Sequence, residues 1–320
     1  MRAVVITTVN EPTVAVRAFA AMPGYRAFVV ADRKTPLDWH VPGVCFLPDN
    51  SQSQMAAFLP HDHYCRKMLG YLAAVEAGAT QIIDSDDDNM PSKGFGFPAM
   101  SGTFDSLASD LGFVNIYSLF TDQRIWPRGL PLDLITRDDR ELPTTARDAE
   151  VGIWQGLADG DPDVDAIYRL TDNSSCYFRT RDPVILCPGT VAPFNSQNTA
   201  FSAAAFPLLY LPVSVTFRFT DILRGLVAQP ILWAAEMHLG FTSASVTQVR
   251  NPHDYLDDFA LEIPMYQTVR RVIDVVSAAV TPAASIADNL VASYLALATA
   301  GIVGEDEQRV VQAWLHSLGG

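Results

Sequence analysis

Asp84, Asp86, Asp87 and Asp88 place four carboxylates within five residues, directly behind the apolar pair Ile82-Ile83. A strand ending there aims them off the carboxyl edge of a sheet, where open α/β folds take their ligands. Like charges crowded at one edge repel. A hard divalent cation, Mg²⁺ or Mn²⁺, resolves the repulsion by taking one or two carboxylates and completing its shell with phosphate oxygens. Such an ion would bridge a diphosphate and stabilise it as it departs. A solvated acidic turn is the bland alternative, and the position behind a buried strand weighs against it. A calcium loop starting at Asp84 needs Gly at its sixth position and Glu at its twelfth, where Asn89 and Phe95 stand. No GxxxxGK[ST] run occurs, which removes a P-loop kinase or ATPase.

The elements that must position this run are legible in the first ninety residues. Short β-rich segments at Val4–Thr8, Ala27–Ala31, Val44–Leu47 and Gln81–Asp84 are nearly continuous in apolar character, as parallel strands covered on both faces should be. Between the last two, Tyr64, Met68, Tyr71 or Leu72, and Val75 recur at helical spacing, and Gly78 supplies the stop. Residues 89–112 read as a loop. Strands are expected again at Phe113–Tyr117 and Ala166–Tyr168, with the polar stretch 137–149 as an exposed insertion. A long helix is expected from Asp221, kinked at Pro230. From Met265 an Ala- and Val-rich helical pattern, broken at Pro282, suggests a small C-terminal appendage. The expected division is therefore 1–264, with halves 1–112 and 113–264, followed by 265–320.

The 320 residues are 49% hydrophobic, enough for a full α/β core, and their formal net charge is −14. That charge opposes the phosphate backbone of nucleic acid. The apolar runs are too short for a signal peptide or for a bilayer span of roughly 20 residues, so a cytoplasmic protein is expected. Cys45, Cys65, Cys176 and Cys187 lack short metal-binding spacing and read as reduced thiols.

Several other residues could serve a bound nucleotide. Thr7 and Thr8 end the first strand and offer hydroxyls to a base or ribose. Arg66 and Lys67 precede the acidic strand on a helix, where a cation could meet a diphosphate; Lys67 reads as the more solvated of the two. Asn195, Gln197 and Asn198 offer amides to sugar hydroxyls, and Trp126 offers a ring to stack on a sugar.

Arg66-Lys67, Gly70-Tyr71-Leu72, Gly78-Ala79 and the run Ile83–Asp88 resemble the GT-A glycosyltransferases, whose DxD motif holds a metal and the donor diphosphate. Val30-Ala31-Asp32-Arg33-Lys34-Thr35-Pro36, Trp126-Pro127-Arg128-Gly129, Pro193–Thr199 and Arg250-Asn251-Pro252-His253 resemble, more specifically, the STELLO family of glycosyltransferases. The resemblance runs in order from about residue 4 to about residue 260. It implies an α/β, GT-A (Rossmann-like) nucleotide-diphospho-sugar transferase fold with a C-terminal helical appendage. It also implies a nucleotide-sugar donor, UDP-linked by expectation, a hydroxyl acceptor on a glycan or small molecule, and Mn²⁺ or Mg²⁺ as cofactor. Asp88 takes the place of the metal ligand, Asp86 that of the ribose or metal-bound water, and His253 that of the late metal ligand. Asp87 is placed with the donor, Asp32 against the nucleoside. Asp221 stands at the landmark for a base that deprotonates the acceptor.

The same landmarks are similar, more distantly, to the reversibly glycosylated polypeptides and UDP-arabinopyranose mutase. There a segment resembling Arg128-Gly129-Leu130-Pro131 leads to a self-glycosylated arginine, and Ile135 occupies that position here. This departure favours transfer to a separate acceptor over a mutase. A non-catalytic nucleotide-sugar-binding partner of another glycosyltransferase is the remaining alternative.

Overall fold

The computed structural model describes residues 1–50, 53–249 and 254–319. In chain order the first elements are β1 (Arg2–Thr8), α1 (Val14–Ala20), β2 (Tyr25–Ala31), β3 (Cys45–Leu47), α2 (Lys67–Glu76) and β4 (Gln81–Ser85). There follow β5 (Asn89–Pro91), β6 (Ser101–Leu107), β7 (Thr144–Gly160), α3 (Ala166–Thr171), β8 (Val184–Leu186) and β9 (Asn198–Ser202). The chain closes with α4 (Phe217–Ala234), β10 (Met237–Gln248), α5 (Tyr255–Ala279), α6 (Ile286–Thr299) and α7 (Glu307–Ser317).

One mixed sheet carries the ten strands of the described residues. β3, β2, β1 and β4 lie parallel in that order. Antiparallel β9 joins β4 to β7, and the second half of β7 runs parallel to β10. The first half of β7 turns away to pair with β6. Side chains alternate across the parallel strands: Val4, Ile6 and Val29 meet Val16 and Phe19 of α1, whereas Val5, Val30 and Ile82 meet Met68 and Leu69 of α2. Burial on both faces is the reason these strands are apolar throughout.

Gly70 lets α2 lie close on the sheet. A Cβ there would stand 2.5 Å from Val5 Cγ1 and 2.7 Å from Val30 Cγ2, both in rigid β-branched side chains. Gly70→Ala is expected to lower stability by about 1–3 kcal/mol despite its better helix propensity. Denaturant melts showing equal or greater stability would overturn the close-contact argument.

Four expectations from the sequence are corrected. Residues 89–112 contain β5 and β6 rather than loop alone. Phe113 makes a single bridge to Val191 before a 3₁₀ turn at Ile116–Leu119, so no strand spans 113–117. Ala166–Tyr168 opens α3, because Asp165 Oδ1 accepts from the Tyr168 amide at 2.9 Å and caps a helix that a short apolar run cannot distinguish from a strand. The polar stretch 137–149 ends in the exposed start of β7, which pairs with β6.

Helix α4 begins at Phe217, with Thr216 at its cap, and runs through Pro230 to Ala234. Helix α5 crosses the 264/265 division through Pro264. Met265, Val269, Tyr294 and Trp314 share one core with Leu223 and Leu226 of α4, so the last three helices extend the main core. Among the described residues, no helix is long and apolar enough to cross a membrane.

Candidate active site at the carboxyl edge of the sheet

The carboxyl ends of β1, β2 and β4 open into a cleft of about 410 Å³, floored by Thr7, Thr8, Asp32 and Asp86–Asp88. Asn195, Gln197 and Gln248 come to it from the antiparallel half of the sheet, while Phe217, Arg218 and Asp221 come from α4. This volume lies in the usual range for a small-molecule site. Seven aspartates line it against four lysines and arginines.

The acidic run does not stand as one set of equivalent carboxylates. Asp84 is fully buried, with Lys67 Nζ 2.6 Å from one oxygen and Arg224 Nη1 2.8 Å from the other. Burial alone would raise its pKa; the two cations outweigh burial and hold it below the ordinary carboxylate range. Asp86 Oδ1 accepts from Tyr64 Oη at 2.6 Å and from Lys67 Nζ at 3.1 Å. Asp87 Oδ2 accepts from Thr8 Oγ1 at 2.5 Å and Asn10 Nδ2 at 3.0 Å. Asp88 Oδ2 accepts from Gln248 Nε2 at 3.0 Å, and its Oδ1 is buried with no hydrogen-bond partner among the described residues. Burial, then the charge of Asp86, pushes Asp88 up to about 7.

Much of the repulsion read from the sequence is thus answered by Lys67 and Arg224. The unmet demand falls on Asp88. A buried, unpartnered carboxylate oxygen beside Asp86 and Asp87 is a hard donor set of the kind Mg²⁺ or Mn²⁺ accepts together with phosphate. Among the described residues, the group of three potential ligands with atoms mutually within 4.8 Å is Asp32, Asp49 and His61 instead. There Arg66 already reaches Asp49 at 2.9 Å and Asp32 at 3.7 Å, supplying the positive charge. His253 lies outside the described residues.

Asp32 stands at the end of β2 as expected, where its oxygens accept from the amides of Arg33 at 2.8 Å and Asp62 at 2.8 Å. Arg66 reaches the cleft but is buried and ion-paired, so its charge is already balanced. Lys67, expected as the more solvated cation, is fully buried. Its ammonium donates to Ser85 O at 2.6 Å as well as to Asp86, and it gains more from two carboxylates than it loses to burial.

Asp221 does not begin α4; it is the fifth residue of that helix and faces the cleft. Its two oxygens accept from Arg128 Nη1 and Nη2 at 3.1 and 3.0 Å, from the Ser196 amide at 3.2 Å and from the Ile222 amide at 3.0 Å. Arg128 also holds Asp163 through Nε and Nη2 and donates to Arg218 O. Asn195 and Gln197 line the cleft, although the Gln197 amide is committed to Gln248 Oε1 and Asp161 O. Asn198 departs from expectation. It lies inside β9, fully buried, donating to Leu157 O and Ser245 Oγ. Trp126 is buried too, with Nε1 donating to Asp165 at 2.9 Å, and offers no open ring.

Tyr64, Arg128, Arg224 and Gln248 are functional neighbours to which the sequence reading gives no role, and Lys67 reads there only as the more solvated cation. For Lys67 a signal existed: it lies three residues after Tyr64 and four before Tyr71, on the buried stripe of its helix. Tyr64, Arg224 and Gln248 meet the acidic run, and Arg128 meets Asp163 and Asp221, only through contacts distant in sequence.

Residues 218–319 match the family model described as STELLO glycosyltransferases. Over 98% of its length the chain is 28% identical to the probable glycosyltransferase STELLO1 of Arabidopsis thaliana and 27% identical to STELLO2 of the same plant. It spans 44% of each of those proteins, less than half their length. The resemblance carried by the sequence motifs therefore extends along nearly the whole chain.

Proposed function

We propose that this chain is a metal-dependent glycosyltransferase domain of GT-A type, moving a sugar from a uridine diphosphate donor to a hydroxyl acceptor. The observation that carries the reading is the buried Asp88 Oδ1, without a hydrogen-bond partner among the described residues, in an acidic loop at the mouth of a ligand-sized cleft. The four parallel strands with antiparallel β9 beside them suit a nucleotide-binding half joined to an acceptor half. A diphosphate entering a cleft with more aspartates than cations needs added positive charge.

In this reading Asp88 and Asp86 hold Mn²⁺ or Mg²⁺, with His253 as a further ligand. The ion, when bound, neutralises charge on the departing diphosphate. Lys67 and Tyr64 fix Asp86, Thr8 and Asn10 fix Asp87, and Gln248 fixes Asp88. Thr7 and Asp32 face the nucleoside, with Arg66 orienting Asp32; Asn195 and Gln197 face the sugar. Asp221 receives the acceptor's proton once Arg128 yields one of its bonds, a rearrangement compatible with the looser geometry of ligand-free sites.

One observation favours a second reading. A carboxylate offers about four lone-pair sites, and four donors already reach the Asp221 oxygens. A non-catalytic nucleotide-sugar-binding partner would keep them filled. The mutase alternative gains no support, since Ile135 packs against the main core.

Calorimetry tests the core of the proposal. UDP is expected to bind much more tightly with Mn²⁺ or Mg²⁺ than with chelator, and Asp88→Ala is expected to erase the difference. Equal UDP affinity with and without metal in the native protein would sink the metal-dependent reading.

A further inference from the structure

Phe217 is the exposed aromatic of the cleft wall. The residue is 44% exposed although it opens a largely buried helix. It stands edge-on to Tyr64, with centroids 5.4 Å apart and planes at 79°. Tyr64 is itself pinned, because its hydroxyl donates to Asp86 at 2.6 Å. The Phe217 ring is therefore seated against a side chain whose hydroxyl is fixed separately by the acidic loop. A solvent-facing phenyl ring so anchored gains nothing for the core, and its exposure has a cost that a bound ligand would remove.

The helix supplies the second relation. Phe217 and Asp221 are four residues apart and both line the cleft, so they share one face of α4 with Cβ atoms about 5–6 Å apart. Arg218 and Asn195 line the same wall. An occupant must combine a flat apolar face with hydroxyls at its edge. A pyranose ring has that form: its axial C–H bonds make an apolar face, and its equatorial hydroxyls project sideways. An acyl chain would find a single ring surrounded by charge, not a continuous apolar surface.

We propose that Phe217 is the platform on which the ring of a cyclic sugar acceptor stacks, one helical turn from Asp221. This inference rests on the glycosyltransferase reading and adds to it the acceptor class, a pyranoside whose free hydroxyl is turned toward the carboxylate. It places the acceptor's stacking ring at the start of α4, where the buried Trp126 cannot serve.

Saturation-transfer NMR on the intact chain with UDP and diamagnetic Mg²⁺ tests it, using methyl and phenyl β-D-gluco-, galacto- and mannopyranosides, with sorbitol as the control lacking a ring face. Transfer is expected to the ring C–H protons of at least one pyranoside and not to sorbitol. Phe217→Ala is expected to weaken pyranoside binding about tenfold, the scale of one aromatic contact. Phe217→Trp should retain binding, and UDP affinity by calorimetry should stay unchanged in both variants. No saturation of any pyranoside by the native protein would overturn the platform, as would equal pyranoside affinity in Phe217→Ala. A fall in UDP affinity in that variant would overturn it in favour of a nucleoside contact. Phe217-dependent pyranoside binding without any UDP binding would leave the platform standing and remove the glycosyltransferase reading instead.

Discussion

Lys67→Met is expected to cost about 3–5 kcal/mol of folding stability, the usual result of removing one partner from a buried ion pair. The ammonium is fully buried among Asp84, Asp86, the Ser85 carbonyl and the Tyr64 hydroxyl. Methionine fills similar volume but donates nothing. Asp84 would keep Arg224, whereas Asp86 would lose its cationic partner among the described residues and retain Tyr64. Chemical denaturation of native and variant chains measures the loss. The double variant Lys67→Met/Asp86→Asn should recover part of it, since the carboxylate left without a cation is then gone, and the cycle isolates the pair's coupling. A loss below about 1 kcal/mol, typical of an exposed pair, would show that the ammonium is not the internal counter-ion of the acidic run. Variant protein that remains folded in the cold should also bind UDP with Mn²⁺ more weakly, because Asp86 is no longer oriented.

Asp221→Asn carries the second large expected effect, a fall in turnover of about 10²–10⁴, the usual contribution of a positioned general base. Asparagine preserves the shape and one acceptor oxygen for Arg128, while Asp163 continues to hold the guanidinium. Metal-dependent UDP affinity should be unchanged, because the carboxylate acts on the acceptor hydroxyl and not on the diphosphate. Initial rates of sugar transfer, or of slow donor hydrolysis, are compared with UDP affinity for both proteins. Unchanged turnover would remove Asp221 from the catalytic residues and leave it as the anchor of Arg128. Weakened donor binding would move it to the donor site. A native protein that binds a UDP-sugar but neither transfers nor hydrolyses it would support the non-catalytic reading favoured by the four donors around Asp221.

The first half of the sheet was legible because its determinants are local. Parallel strands buried on both faces must be apolar without interruption, so β1, β2, β3 and β4 stand out of the sequence close to their observed limits. The helix before β4 shows its period, and the acidic run follows Ile82-Ile83 at the edge where that topology places ligands. Thr7, Thr8, Asp32 and Asp86–Asp88 converge on one cleft for that reason. Ala166–Tyr168 was not legible, since three apolar residues fit either period and the deciding cap is a single aspartate.

Tertiary structure alone decided which charges are spent and which remain available. Asp84 is neutralised by Arg224 from 140 positions away, and Asp221 is clamped by Arg128 across 93. Lys67 became a buried counter-ion, Asn198 a bond within the sheet, and Asp88 the carboxylate with an unmet oxygen. Sequence periodicity records which face of an element is covered, because solvent exclusion acts on every turn or every second residue. An ion pair is made once, between side chains brought together by the whole fold, and leaves no repeating trace in the chain.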